Sequence, residues 1–394
     1  MKKLIIAAAA AAALMSTAVQ AEPIKIGVIL GYTGPIESLT PDMAAGAELA
    51  IKEVNKSGAL LDGSKVISIR ADTTCTDSAA ATTATERLVS SDKIKAIVGG
   101  DCSGVTTAML QNVALPNGIV MISPSATSPA LSSVKDRGLF FRTAPSDARQ
   151  GQVIAAILKD RGIKSVALTY TNNDYGKGLS SSIKSNFEAA GGKVTISAAH
   201  EDGKADYTAE VGALAAAGGE VLIVAGYLDQ GGKGIIQASL DTGAFDTFVL
   251  PDGMIGDSLP AAIGSDLNGS FGTVPGTDSP GAAQYADMAK AAGFKAGPFS
   301  SESYDAAALI MLSMQAAKSS NSNDFKEKVM SVANAPGEKI YPGELAKALK
   351  IIAAGGDVDY VGASAVELIG PGESAGNYRE IEVKDGKNTT AKFR

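Results

Sequence analysis

Short apolar runs alternate with segments of helical periodicity in this chain, and the alternation runs through twice. The first series has strands at 24–30, 66–70, 96–99 and 119–122, with helices at 43–54, 77–90 and 105–114 between them. A turn built on Gly31, Gly34 and Pro35 separates the first strand from its helix. The second series opens on a helix at 150–161. It continues through strands at 166–170, 194–198, 221–225 and 248–250, separated by helices at 178–190, 207–217 and 233–242. Apolar strands this short are buried on both faces, so each needs a crossover helix to cover the sheet. The pattern predicts an α/β fold of two doubly wound parallel-sheet lobes. Segment 140–144 reads as a passage out of the first series. From 282 to 349 helix follows helix, and 378–383 with 387–393 reads as a hairpin around Asp385-Gly386. That tail could form a third small domain. Assigning it to the two lobes instead gives crossings near 143, 272 and 365, a three-strand hinge. Lobe I is then expected over 22–143 and 273–364, and lobe II over 144–272 and 365–394.

The first 21 residues read as an address. Met1-Lys2-Lys3 is basic, Leu4 to Met15 is apolar, and Val19-Gln20-Ala21 is a small-x-small cleavage site. This is the pattern of a secretory signal peptide, 1–21, and its apolar run is too short to span a bilayer. No cysteine lies in it, so the exported chain is expected to be soluble and periplasmic rather than a lipoprotein. An oxidising compartment makes Cys75 and Cys102 a candidate disulfide, with two free buried thiols as the alternative.

Several chemistries are disfavoured. The net charge is −7 with no Lys/Arg cluster, so no nucleic-acid footprint is expected. One histidine and two cysteines leave too few ligands for a conventional zinc site, and no metal is expected. Gly100-Asp101-Cys102-Ser103-Gly104 matches a nucleophile elbow with cysteine as nucleophile. Such a nucleophile needs a histidine base. Only His200 exists, in a polar segment of the second series where a surface position is expected, and a disulfide-bonded sulfur cannot attack. Gly231-Gly232-Lys233 does not fit a phosphate-binding loop, and no G-x-G-x-x-G follows the first strand. Neither a cofactor nor an enzyme activity is expected.

What remains is a set of polar groups at strand C-termini, where doubly wound sheets bind their ligands. Ser103 and Gly104 begin a helix after strand 96–99, and a helix N-terminus offers unpaired N–H groups suited to a carboxylate. Ser123-Pro124-Ser125-Ala126-Thr127-Ser128-Pro129 follows strand 119–122 and can face the same crevice. Taken alone, each serine or threonine reads first as an ordinary helix cap. Pro251-Asp252-Gly253 follows strand 248–250, where Asp252 either projects into the crevice or caps a turn.

Several segments then fall into a familiar order. They are Ile24-Lys25-Ile26-Gly27-Val28 with Thr33-Gly34-Pro35, Gly46-Ala47-Glu48-Leu49-Ala50-Ile51 with Val54-Asn55, and the Cys75-to-Cys102 spacing. Met121-Ile122-Ser123-Pro124-Ser125-Ala126-Thr127 is the most specific. Asp174-Tyr175-Gly176, Ala225-Gly226-Tyr227, Pro251-Asp252-Gly253 and Ser303-Tyr304-Asp305-Ala306 follow. Together they resemble the periplasmic binding proteins for leucine, isoleucine and valine, components of ABC importers with a two-lobed, hinge-closing fold. The resemblance covers nearly the whole chain after the leader.

It implies a small-molecule ligand, an amino acid of aliphatic or branched-chain type, delivered by a monomer to a permease and ATPase complex in the inner membrane. Ser103, Ser125 and Thr127 would bind the α-carboxylate, partly through backbone N–H groups of the segment that includes Ala126. Asp252 would pair with the α-ammonium, helped by Tyr227; Tyr175 would close over the ligand and Tyr304 line its side-chain region. The Cys75-to-Cys102 spacing looks like the family disulfide. Two departures stand out: Asp252 replaces a longer glutamate, and an aromatic residue near Leu39 or Thr40 is missing. An amide or aromatic carboxylate as ligand, or a sensory role, are the alternatives the resemblance leaves open.

Overall fold

The structure, a computed structural model, describes residues 22–394. The expected signal peptide lies outside the described residues. Strand β1 (Ile24–Leu30) pairs in parallel with β2 (Val66–Asp72) on one side and β3 (Ala96–Gly99) on the other. Beyond β3 lie β4 (Val120–Ser123) and β5 (Phe140–Pro145), also parallel. Central β3 and β4 are buried at every residue, whereas edge strand β2 is mostly half-exposed. In the second sheet β6 (Ser165–Thr171) lies between β7 (Lys193–His200) and β8 (Val221–Ala225). Next come β9 (Phe248–Leu250) and β10 (Phe271–Pro275). The two lobes therefore share one strand order, β2-β1-β3-β4-β5 and β7-β6-β8-β9-β10. In each, the winding reverses beside the first strand, and the crevice outside the strand C-termini at that point is where such sheets take ligands.

The helical stretch covers the first lobe. Helix Ser300–Ala317 is buried along nearly all its length and packs closely on helix Thr40–Ser57. Gly46 makes this possible: a Cβ there would stand 2.2 Å from the Ser300 carbonyl oxygen. A small parallel pair, β11 (Glu338–Ile340) with β12 (Val358–Tyr360), interrupts the helices.

Three expectations about the crossings change. Segment 140–144 is not merely a passage: as β5 it pairs with β4, and the chain leaves the first sheet only after Pro145. Strand β10 belongs to the second sheet, so the next crossing falls after 275. The last falls beyond 365, because β13 (Leu368–Ile369) and β14 (Glu373–Ser374) still belong to the first sheet. The chain rejoins the second sheet as the hairpin β15 (Tyr378–Lys384) and β16 (Lys387–Phe393), antiparallel to β10. Buried Arg142 explains the capture of β14: its Nη2 lies 2.5 Å from Glu373 Oε2. Two crossings are tied together, Gly276 N–H donating to the Asn377 carbonyl at 3.0 Å. Cys75 and Cys102 form a disulfide with Cα atoms 5.2 Å apart, joining the loops after β2 and β3.

Candidate functional site

The strand C-termini of both sheets face one cleft. On the first lobe, buried Asp101 pins the loops together, accepting from Gly31 N at 2.6 Å and Thr73 Oγ1 at 3.2 Å. The helix that follows begins at Ser103, and its first N–H groups have no intrahelical acceptor. Ser103 Oγ accepts from Ser128 N at 3.1 Å, and Ser125 Oγ donates to the Asp101 carbonyl at 3.0 Å. Segment 123–128 is braced from below by Arg142, whose Nη1 donates to the carbonyls of Ala126 and Ser128 at 3.0 and 2.9 Å. The free donors on this wall are the first N–H groups of the helix, held on a rigid support.

On the second lobe, Asn173 caps helix Asp174–Ala189, its Oδ1 accepting from Gly176 N at 3.0 Å, and this places Tyr175 in the first turn. Tyr227 follows β8, and the two rings stack with centroids 5.1 Å apart. Tyr175 OH donates to Asp252 Oδ1 at 2.8 Å, as does Gly253 N–H. The other oxygen, Asp252 Oδ2, is buried without a partner.

A second acid lies beside it. Asp147, fully buried, opens helix Asp147–Asp160 just past the first crossing, and its Oδ2 is also buried without a partner. Gln150, one turn on, links the two acids. Its amide nitrogen donates to Asp147 Oδ1 and its amide oxygen accepts from Asp252 N, both at 3.2 Å. The Thr127 hydroxyl lies against Asp147 without the geometry of a full hydrogen bond. Burial pushes both carboxyls up; for Asp147 the Asp252 charge adds to the rise. Burial also raises the phenols of Tyr175 and Tyr227 well above the ordinary range, so both stay protonated. Each of these desolvated carboxyls keeps one oxygen free, and the Arg142 guanidinium, near enough to lower Asp147, only partly offsets the cost of their burial.

Ser103, Ser125, Tyr175, Tyr227 and Asp252 line the cleft as expected by resemblance, together with Ile36, Leu39 and Phe299. Three expected residues differ. Thr127 lies just beneath the lining, its carbonyl accepting from Asp147 N at 2.8 Å. Ala126 has both backbone groups engaged, its N–H with Ser123 Oγ at 2.9 Å and its carbonyl with Arg142, so it offers no free donor. Tyr304 is away from the cleft: its hydroxyl donates to Glu53 Oε2 at 2.6 Å and its ring packs on Tyr285. Its helical phase turns it toward helix Thr40–Ser57, and Phe299, one residue before its helix and at φ 61°, lines the cleft instead. His200 is buried rather than on the surface. Its ring packs against Gly226 and Gly231, with Nδ1 2.8 Å from Thr169 Oγ1, and burial lowers it to about 4.

Asp147 was not among the sequence candidates, because an acid in the first turn of a helix is ordinary. Ser146 is the cap, its Oγ accepting from Ala148 N at 3.3 Å, so Asp147 is not needed for that purpose. A second acid beside a lobe crossing was the available signal.

Around the cleft the lips of the two lobes meet. Asp229 N donates to the Pro35 carbonyl at 3.0 Å and Asp229 Oδ2 accepts from Ser38 N at 2.9 Å. Ser258 Oγ donates to Asp229 Oδ1 at 2.7 Å and lies 3.1 Å from Ser38 Oγ.

The family described as periplasmic binding protein matches residues 23–345. The chain belongs to that family. This binding protein is 31% identical over 317 residues to a Leu/Ile/Val-binding protein homolog of Brucella melitensis, covering 78% of this chain and 83% of the relative. It is 30% identical over 261 residues to the leucine-, isoleucine-, valine-, threonine- and alanine-binding protein of Pseudomonas aeruginosa, 66% of this chain and 68% of that one. Its fold is that of a leucine-binding protein from Thermotoga maritima, with TM-score 0.80, 21% identity and 94% and 98% of the two chains covered. A solute-binding protein from R. palustris in complex with benzoate aligns at TM-score 0.76 and 20% identity, covering 94% and 96%. The family and the curated relatives are named as binding proteins, not as enzymes. Among the described residues, no helix is long and apolar enough to cross a membrane.

Proposed function

We propose that this binding protein captures a small aliphatic or branched-chain α-amino acid in the periplasm, as a monomer, and presents its closed form to an inner-membrane permease. The observation that carries the reading is the pair of buried, partnerless carboxylate oxygens on Asp252 and Asp147. A ligand ammonium supplies the cation that such a pair needs, whereas benzoate brings none. The N–H groups of the helix start at Ser103 are donors for the ligand carboxylate, and the Ser125 hydroxyl joins them by turning away from the Asp101 carbonyl. Ile36, Leu39 and Phe299 offer the side chain an apolar wall. The names of the curated relatives support the same class.

Binding needs motion. The cleft measures about 20 Å³, room for little more than one water molecule, so an amino acid enters only when the lobes part. The donors belong to one lobe and the acids and tyrosines to the other, so the ligand completes its contacts only on closure. That difference in contacts shifts the population toward the closed form.

Calorimetry with L-leucine, L-isoleucine and L-alanine against 4-methylpentanoate and benzoate tests the reading. An amino acid should bind and its deaminated analogue should not. If 4-methylpentanoate or benzoate binds as tightly as any amino acid, the reading fails.

A further inference from the structure

Leu39 has a cavity on each side. It lines the binding cleft, and it also lines a second groove between the lobes of about 430 Å³. That groove is walled by Asp42 and Lys295 of the first lobe and Asp257 and Arg379 of the second, with Lys295 paired to Asp257 at 2.6 Å. At Gly256, in the segment after β9, a Cβ would stand 2.9 Å from Leu39 Cδ2 and 2.5 Å from Leu228 Cδ1. Gly256 does not have a positive φ, so its backbone tolerates other residues and only space excludes them. A leucine of one lobe thus seats directly against the backbone of the other.

We propose that the Leu39–Gly256 contact is a length filter: it closes the far end of the cleft, and the groove behind it is a latent extension of the same pocket. The inference rests on the amino-acid reading, in which the ligand side chain points toward Ile36, Leu39 and Phe299. A side chain that stops short of Leu39 lets the lobes seat fully. A longer one must displace Leu39 or hold the lobes apart. Where Leu39 is cut back, the same tail passes into the groove. Because the walls beyond are charged, the gain there comes from relieved overlap, not from new apolar contact. Leu39 is a specificity-determining residue on this view, and it reads ligand length rather than ligand charge.

The test is a chain-length series: L-norvaline, L-norleucine, L-2-aminoheptanoate and L-2-aminooctanoate, titrated by calorimetry into the full-length exported protein. For the wild type, affinity should fall by about tenfold or more at one step of the series, the scale of a misfitted methylene in a closed pocket. Leu39→Ala removes three carbons and should move that step toward the longer ligands while weakening norvaline. Leu39→Val should move it by less, and it guards against loss of folding in the alanine variant, which a melting curve would show. Gly256→Ala, which pushes Leu39 inward, should move the step toward shorter ligands. Wild type and both Leu39 variants falling off at the same ligand would overturn the filter while leaving the amino-acid reading intact. Wild type binding no member of the series, nor L-leucine, would overturn the amino-acid reading and the filter with it.

Discussion

Replacing Asp252 by asparagine removes one charge and almost nothing else. The asparagine side chain keeps an oxygen in place for Tyr175 OH and Gly253 N–H, each now 2.8 Å from Oδ1, so the loop after β9 should hold. What goes is the anion at the buried, unshared Oδ2. Breaking a desolvated charge pair costs about 2–5 kcal/mol. Asp147 stays nearby to share the ammonium, so about 3 kcal/mol is a fair figure, roughly a hundredfold in affinity or somewhat more. The pH dependence is a second handle. Burial lifts the Asp252 carboxyl from its ordinary range to about 6. An ammonium favours the ionised form, so binding expels a proton when the solution is near that pH. Affinity should therefore be flat above neutrality and weaken as pH drops through 6, by up to about tenfold per unit. Because Asp147 and Asp252 titrate as a pair, the asparagine variant should show a shallower slope rather than none. Calorimetry with L-leucine between pH 5 and 8, in two buffers of different ionisation enthalpy, reads both affinity and proton release. Wild-type affinity in Asp252→Asn, or binding that strengthens as pH falls, would refute the ammonium assignment.

Thr127→Val keeps the shape but removes a buried hydroxyl that lies against Asp147 without a full hydrogen bond, and should lower affinity by about fivefold at most, the weight of one ordinary hydrogen bond; unchanged calorimetric affinity would remove Thr127 from the site. Asp229→Ala deletes the side-chain bond to Ser38 N across the lips, worth about 1 kcal/mol at an exposed position, and should raise the dissociation rate about fivefold in stopped flow without changing ligand preference. Changing Cys75 and Cys102 together to serine opens a loop spanning 27 positions and should destabilise by about 3–4 kcal/mol, seen as a lower urea midpoint. His200 is held neutral by burial, with its folded value about 4 against an unfolded 6.5. The unfolded chain binds the extra proton between those values, so this group costs stability as pH falls from 6.5 to 4, by up to about 3 kcal/mol. The raised carboxyls change stability in the opposite sense, so the His200 share is read as the difference between wild type and His200→Gln in urea melts at pH 7 and 4.5.

Most of the framework is legible in the sequence because parallel strands buried on both faces are written as unbroken apolar runs. Strands β3, β8 and β9 start and stop at the expected residues for that reason. What escaped has little local signature. Strand β10, Phe271-Gly-Thr-Val-Pro275, contains a glycine and a proline, and two-residue β13 and β14 have no periodicity; an ion pair to Arg142 holds β14 in place. At the cleft, the expected residues fixed by a strand end or a helix start (Ser103, Tyr175, Tyr227, Asp252) take lining positions. Direction set by packing is not legible in the same way: Tyr304 faces Glu53 and Tyr285, and Phe299, just before the same helix, lines the cleft. Asp147 and Gln150 matter because burial leaves two acids facing each other, and no spacing in the chain encodes that.

The stacked Tyr175 and Tyr227 rings have an optical consequence. The chain has no tryptophan and 10 tyrosines, so phenol rings dominate its ultraviolet emission. Two of those rings belong to opposite elements of one cleft wall, 5.1 Å apart and nearly parallel, and one of them is hydrogen-bonded to a carboxyl whose other oxygen the ligand would meet. A carboxylate acceptor quenches phenol fluorescence, so a ligand that ionises Asp252 while Tyr175 stays on Oδ1 should dim the protein and alter its near-ultraviolet dichroism. The molecule carries its own reporter, and occupancy can be followed without a dye or an inserted label.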